Sequence, residues 1–182
     1  MAGKDSHTYQ AAVVTVSDKG AAGEREDTSG VVVAEILESR GIQVARREIV
    51  PDEANLLSEL MVSLCDQAID LIVTTGGTGV SPRDVTPEAT LAVIDREIPG
   101  MAEAMRAESL KVTAHAMLSR AVCGLRGRAL IINLPGSPKG ARENLEVVMP
   151  AVTHALEVAA GRVSDCAQPD LLTCPARLSD NL

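Results

Sequence analysis

The sequence predicts an α/β protein, a three-layer sandwich in which a mostly parallel sheet carries helices on both faces. Three observations carry that prediction. Short apolar runs of strand type alternate with segments whose apolar residues recur at helical spacing along most of the chain. The run at residues 71–73 is continuously hydrophobic, as in a strand covered on both faces, and residues 11–16 and 128–133 read as further strands. Two of them empty into glycine-rich loops, Gly76-Gly-Thr-Gly79 and Pro135-Gly-Ser-Pro138.

Composition bounds the rest. A chain of 182 residues that is 46% hydrophobic supplies one domain with a continuous core. It has no Phe, no Trp and a single tyrosine, Tyr9, so that core is aliphatic. Stacking of bases on aromatic rings is therefore unavailable, and a net charge of −8 opposes a nucleic-acid backbone, which excludes a nucleic-acid partner. No apolar run reaches the ~20 residues that span a bilayer, and residues 1–10 have no signal-peptide character, so a cytoplasmic protein with no membrane partner is expected. Cys65, Cys123, Cys166 and Cys174 form no Cys-x-x-Cys pair, and His7, His115 and His154 are scattered. Neither a zinc site nor a disulfide framework is indicated, and Cys65 and Cys123 read as small core residues.

In chain order, residues 1–10 form a flexible N-terminus and residues 11–16 the first strand, ending at Ser17-Asp18. A charged loop over residues 19–27 leads to Asp27-Thr28 as helix caps, Val33, Ile36 and Leu37 mark the helix, and Gly41 ends it. Residues 42–50 read as a second strand stopped by Pro51. Leu56, Leu57, Leu60, Met61 and Leu64 mark one buried face of the next helix. Leu71, Ile72 and Val73 form the strand before the first glycine loop, after which Thr86-Pro87-Glu88 reads as N-cap, first-turn proline and first-turn acid. A helix over residues 87–94 is broken at Ile98-Pro99-Gly100, and Met101, Met105 and Leu110 mark another, with the Met pair as core filler. Gly124-Leu-Arg-Gly127 reads as the turn before the last strand. The closing helix carries Leu145, Val148, Val152 and Leu156 with a kink at Pro150, giving a single domain over residues 11–161 and a mobile tail over residues 162–182.

The chemistry concentrates at the strand ends. The first loop is neither a P-loop, since no Lys-Ser or Lys-Thr follows its glycines, nor a dinucleotide fingerprint, since Pro82 stands where glycine is needed. Asp84 lies instead in a stiff segment between Pro82 and Pro87. A carboxylate beside an anion-binding loop makes chemical sense with a divalent cation such as Mg²⁺ between it and a phosphate. Asp52 is the second acid, although it reads equally well as a helix N-cap. If the strands ending at Ser17, Thr75 and Asn133 are parallel, their loops share one edge, where open α/β sheets bind ligands. Two glycine loops, Lys139 and two acids suit a nucleoside triphosphate with Mg²⁺ and point to phosphoryl or nucleotidyl transfer.

Five segments carry a more specific likeness: Thr74-Thr-Gly-Gly-Thr-Gly79, Pro82-Arg-Asp-Val-Thr-Pro-Glu-Ala89, Pro99-Gly-Met101, Met117-Leu-Ser-Arg120 and Ile132-Asn-Leu-Pro-Gly-Ser137. In this order they resemble the molybdopterin adenylyltransferases, the family of Mog-type bacterial proteins, plant Cnx and the gephyrin G domain. The resemblance implies a homotrimer with a pocket on each subunit. It also implies a reaction in which molybdopterin attacks the α-phosphate of MgATP, giving adenylyl-molybdopterin and pyrophosphate. A separate molybdate-insertion protein would then accept the product. By matched motif, Asp52 and Asp84 become catalytic acids and Mg²⁺ ligands, and Thr78 and Ser119 hydrogen-bond the pterin or its phosphate. The loop with Pro135, Gly136, Ser137 and Lys139 flanks the adenylate. Ser17, Asp18, Thr75, Gly76, Gly77, Gly79, Arg120 and Asn133 complete the expected substrate-binding set. The competing readings are a non-catalytic pterin-binding or scaffold protein of the same fold, and nucleotidyl transfer to another phosphorylated acceptor.

Overall fold

The computed structural model describes residues 8–162. Six strands form one sheet in the order β2-β1-β3-β6-β5-β4. Four of them, β1 (Gln10–Val16), β2 (Gln43–Val50), β3 (Leu71–Thr75) and β6 (Ala129–Leu134), are parallel. Each neighbour pair is antiparallel from β6 through β5 (Cys123–Arg126) to β4 (Arg96–Glu97), at the far edge.

The three layers follow from the period-two alternation of strand side chains. Ala11, Val13, Leu71, Val73, Leu130 and Ile132 face one core, which is closed by α2 (Thr28–Ser39), α5 (Pro99–Leu110) and α6 (Pro138–Ala159). Ala12, Val14, Ile72 and Ile131 face the other, beneath α3 (Ala54–Asp66) and α4 (Thr86–Leu91). β1, β3 and β6 are buried throughout except for Gln10, which is why they are mostly apolar, with Thr15, Thr74, Thr75 and Asn133 as buried polar exceptions. With few large rings available, both cores are filled by Leu, Ile, Val, Ala and Met; Met105 is 1% exposed and acts as the core filler its spacing suggested.

Local expectations fail in instructive places. The first strand starts at Gln10, and Tyr9, expected in the flexible segment, is buried with the Arg162 guanidinium 5.7 Å from its ring centroid. The remainder of the expected tail lies outside the described residues. The charged loop after β1 contains a one-turn helix, α1 (Asp18–Ala21), capped by the Ser17 hydroxyl, which accepts from Gly20 N. Pro99 does not break a helix but starts one, because its missing N–H costs nothing in the first turn. Gly124-Leu-Arg is strand rather than turn, and the reversal needs only Gly127, at φ +55°, and Arg128. α6 continues as one helix through Pro150, which is exposed.

The fully buried Leu145 side chain anchors α6 to its core. Leu145→Ala is expected to cost about 2–5 kcal/mol, read as a lower urea midpoint at unchanged slope.

Candidate functional site

The carboxyl ends of β1, β3 and β6 lie side by side, and the strand order reverses between β1 and β3, the position where an open α/β sheet leaves a crevice. The two glycine loops meet there backbone to backbone. Gly76 N donates to Leu134 O at 3.1 Å, and the buried Thr75 hydroxyl donates to Pro135 O at 2.8 Å. A Cβ on Gly136 would stand 3.1 Å from Gly76 Cα, and one on Gly76 would stand 2.3 Å from Val16 O. Gly76 and Gly77 have φ of +105° and +62°, so side chains are refused there on two grounds. Thr86 is the first residue of α4 and not its cap; its buried hydroxyl donates to Gly76 O at 2.8 Å, while Val85 takes the cap position.

The expected residues divide between two hollows. One, of about 500 Å³, brings together Ser17, Asp52, Thr75, Gly76, Gly77, Asp84, Gly136 and Ser137. The second, of about 450 Å³, takes Thr78, Gly79, Ser119, Pro135 and Lys139, with Ser137 on the border of both. Ser137 caps α6, its hydroxyl accepting from Gly140 N, so the positive end of a 22-residue helix is aimed at the boundary. Lys139 lies in the hollow of Thr78 and Ser119 rather than beside the acids, with Glu143 at 3.8 Å.

Three expected binders line neither hollow and have structural roles. Asn133 is wholly buried: its amide donates to the Thr74 and Thr90 hydroxyls and its carbonyl accepts from Val122 N, tying β3, α4 and the approach to β5. Arg120 directs its guanidinium to Gly79 O at 2.5 Å, Asp84 O at 2.7 Å and the Glu88 carboxylate, while its backbone N–H donates to Thr78 O. These bonds hold the glycine loop at both ends. Asp18 is taken up by Arg83, which reaches both its carboxylate oxygens at 3.0 and 2.7 Å.

The two acids survive as a pair on one hollow. Asp52 is not a helix cap, since Glu53 occupies that position; its Oδ2 accepts from Asp18 N at 2.9 Å. Burial, aided by the neighbouring Asp18 and Asp84 charges, pushes its carboxyl above the ordinary aspartate range against the Asp18 N–H and Arg83. The Arg83 hydrogen bonds hold Asp18 below that range. Burial works against the Glu88 carboxylate, but the hydrogen bond and charge of Arg120 outweigh it and keep its pKa lowered. Asp84 Oδ2 accepts from Ser81 N at 2.8 Å, closing its own turn. Among the described residues no group of three or more His, Cys, Asp or Glu forms a metal-binding cluster; of the acids that line this hollow, Glu26, Asp27, Asp52 and Asp84, the expected pair would offer a cation two carboxylates. That is the donor set of a Mg²⁺ bound jointly with substrate phosphates, not of a cation held by protein alone. Cys65 and Cys123 take no part: burial raises their thiols to about 11 and about 12.

Residues 12–154 match the family model described as "Probable molybdopterin binding domain". The chain belongs to this family. It is 43% identical over 157 residues to the molybdopterin adenylyltransferase of Helicobacter pylori (strain J99), spanning 85% of this chain and 89% of that one. It is 42% identical over 148 residues to the molybdopterin adenylyltransferase of Escherichia coli K12, spanning 80% and 76%. The molybdopterin biosynthesis enzyme MoaB of Thermus thermophilus superposes with a TM-score of 0.81 at 50% identity, covering 85% of this chain and 98% of that one. The α/β sandwich and the molybdenum cofactor biosynthesis family are thereby shown together. Among the described residues no helix is long and apolar enough to cross a membrane.

Within this member of the molybdopterin-binding family, sequence reasoning passed over the far wall of the second hollow. Arg106, Ser109, His115 and Asn144 come from α5, a 3₁₀ turn (Ala114–Leu118) and α6, with no local motif to join them. Arg106 donates to Ala121 O at 3.1 Å, and Asn144 donates to Ser109 Oγ and Gly140 O. Thr86 lies within one of the five family-like segments, but only the fold shows that it holds the glycine loop.

Thr86→Val should leave the Gly76 carbonyl without its buried donor and cost about 1–3 kcal/mol. Gly77→Ala should cost at least about 1–2 kcal/mol through its φ alone, and more because the new Cβ would lie 2.4 Å from Thr86 Oγ1. Equilibrium unfolding in urea reads both.

Proposed function

We propose that this protein is a molybdopterin adenylyltransferase in molybdenum cofactor biosynthesis, using MgATP to adenylylate molybdopterin with release of pyrophosphate. The observation that carries this reading is the convergence of Asp52 and Asp84, from two different strand-end loops, on a hollow that shares Ser137 with a second hollow of similar size. A transferase needs two substrates side by side with their reacting groups at a common border.

In this reading the acidic hollow holds the triphosphate and the hollow of Thr78 and Ser119 holds molybdopterin. The terminal phosphate oxygen of molybdopterin bonds to the α-phosphorus of ATP, the bond from that phosphorus to the β-phosphate bridging oxygen breaks, and pyrophosphate leaves. Backbone N–H groups of the glycine loop and of the α6 N-terminus face the oxygens that carry the charge. Asp52 and Asp84 would hold Mg²⁺, which neutralises charge on the phosphates when bound. Thr78 and Ser119 orient the attacking phosphate, and Lys139 balances its charge. The reading includes a cytoplasmic homotrimer with a site on each subunit and hand-over of the product to a separate molybdate-insertion protein. The exposed Val112, Met117 and Leu118 around the 3₁₀ turn support self-association, which light scattering measures.

Pyrophosphate release from MgATP, with and without molybdopterin, tests the reaction. Asp84→Asn and Asp52→Asn should fold normally and lose about 10²-fold or more of the pterin-dependent rate. A wild-type rate in either variant removes that acid from the mechanism, and binding of both substrates without release replaces the enzyme with a binding protein.

The raised Asp52 carboxyl sets a pH signature. Below the ordinary value of 3.8 it is protonated in folded and unfolded chains alike, and between that value and its higher folded one only the folded chain keeps the proton. Stability contributed by this group is thus present at low pH and falls as pH rises through the window. Asp52→Asn should flatten that fall in thermal melts taken across it.

A further inference from the structure

Asp18 stands at the carboxyl end of β1, between the strands whose loops carry Asp52 and Asp84. It bonds to both sides. Its N–H donates to Asp52 Oδ2 at 2.9 Å, and its Oδ1 accepts in return from Asp52 N at 3.0 Å. Its two carboxylate oxygens also accept from Arg83, Oδ2 from Nε at 3.0 Å and Oδ1 from the terminal nitrogen at 2.7 Å. Arg83 is the residue before Asp84. Neither Asp18 nor Arg83 lines the acidic hollow, so the carboxylate and guanidinium engage each other rather than a ligand.

Resting on the adenylyl-transfer reading, we infer that Asp18 and Arg83 are a pair of positioning residues that sets the distance between the Asp52 and Asp84 loops. The physical case is geometric. Two carboxylates that share a hollow repel each other, and each sits on a loop beyond the end of its strand, where Arg120 ties the Asp84 loop to itself but not to the Asp52 loop. The reciprocal Asp18–Asp52 bonds fix one loop against β1, and the two-pronged Arg83 contact, planar and directional, fixes the other to the same point. The ion pair is exposed on both sides, so its share of global stability is small. Its effect falls on placement, to which the rate of a positioned reaction is steeply sensitive.

The test is a double-mutant cycle of Asp18→Asn and Arg83→Gln in the full-length protein, with three readouts. Each single variant should lower kcat for pyrophosphate release about 10- to 100-fold with KM for ATP within about twofold of wild type. The double variant should be no slower than the worse single one, since both remove the same link. Melting temperature should stay within about 2 °C, as for an exposed pair. Without any turnover, amide exchange over residues 17–19 and 51–53 should quicken in Arg83→Gln although that residue is remote in sequence.

Additive losses, or unchanged kcat and exchange, overturn the pair. So does a raised KM for ATP in Arg83→Gln alone, which would make Arg83 a phosphate ligand. A wild-type protein that releases no pyrophosphate defeats the adenylyl-transfer reading instead, and the exchange experiment then still decides whether the link holds the loops.

Discussion

The contact on which the rest of the site depends is the meeting of two glycine loops at the ends of β3 and β6. Parallel neighbours in a sheet bring their carboxyl ends within one strand spacing, and a loop with side chains on both partners could not close that gap. Gly76 and Gly136 remove the obstruction, leaving a Cα as the nearest neighbour of the Cβ that Gly136 lacks. The bonds Gly76 N to Leu134 O and Thr75 Oγ1 to Pro135 O then hold the two loops together. With both backbones tight against each other, the hollows open on either side of the seam and Ser137 serves both.

Around this seam the protein uses buried polar groups to hold backbone. Thr86 satisfies Gly76 O, Asn133 collects two threonine hydroxyls and Val122 N, and Arg120 gathers carbonyls from both ends of the segment from Thr78 to Asp84. Thr86 and Asn133 are wholly buried and would be costly if half satisfied, while Arg120 does the same work from a partly exposed position. All buried side-chain polar atoms among the described residues find partners. The outcome is a loop that is rich in glycine yet restrained, which suits a site that must hold donors toward charge as it develops rather than rearrange to meet it.

The same logic explains why acids are placed beside anion-binding loops in a chain of net charge −8. Asp18 is paired with Arg83, Glu88 with Arg120 and Asp27 with Arg47, while the hollow itself is lined by Glu26, Asp27, Asp52 and Asp84 with Arg25 among them, so its charge is net negative. That remaining charge is what a cation shared with a triphosphate would offset, and the burial that raises the Asp52 carboxyl marks the cost of leaving it without one.

Much of this was legible in the residues. Mostly apolar runs identified β1, β3 and β6 because burial on both faces favours apolar side chains at successive positions, and glycines beyond two of them marked the seam because positive φ and close approach tolerate little else. The motifs of the two glycine loops and the segment around Asp84 disclosed the family because chemistry at a strand end is written in a few contiguous residues. What the tertiary structure alone decided is the use to which shared residue types are put. Asn133, Arg120 and Asp18 have the composition of ligand-binding groups, yet each is engaged within the protein, and their partners lie between 11 and 65 residues away. The division into two hollows, and the wall formed by Arg106, His115 and Asn144, were hidden for the same reason. A hydrogen bond is a relation between positions in space, and local sequence records one end of it.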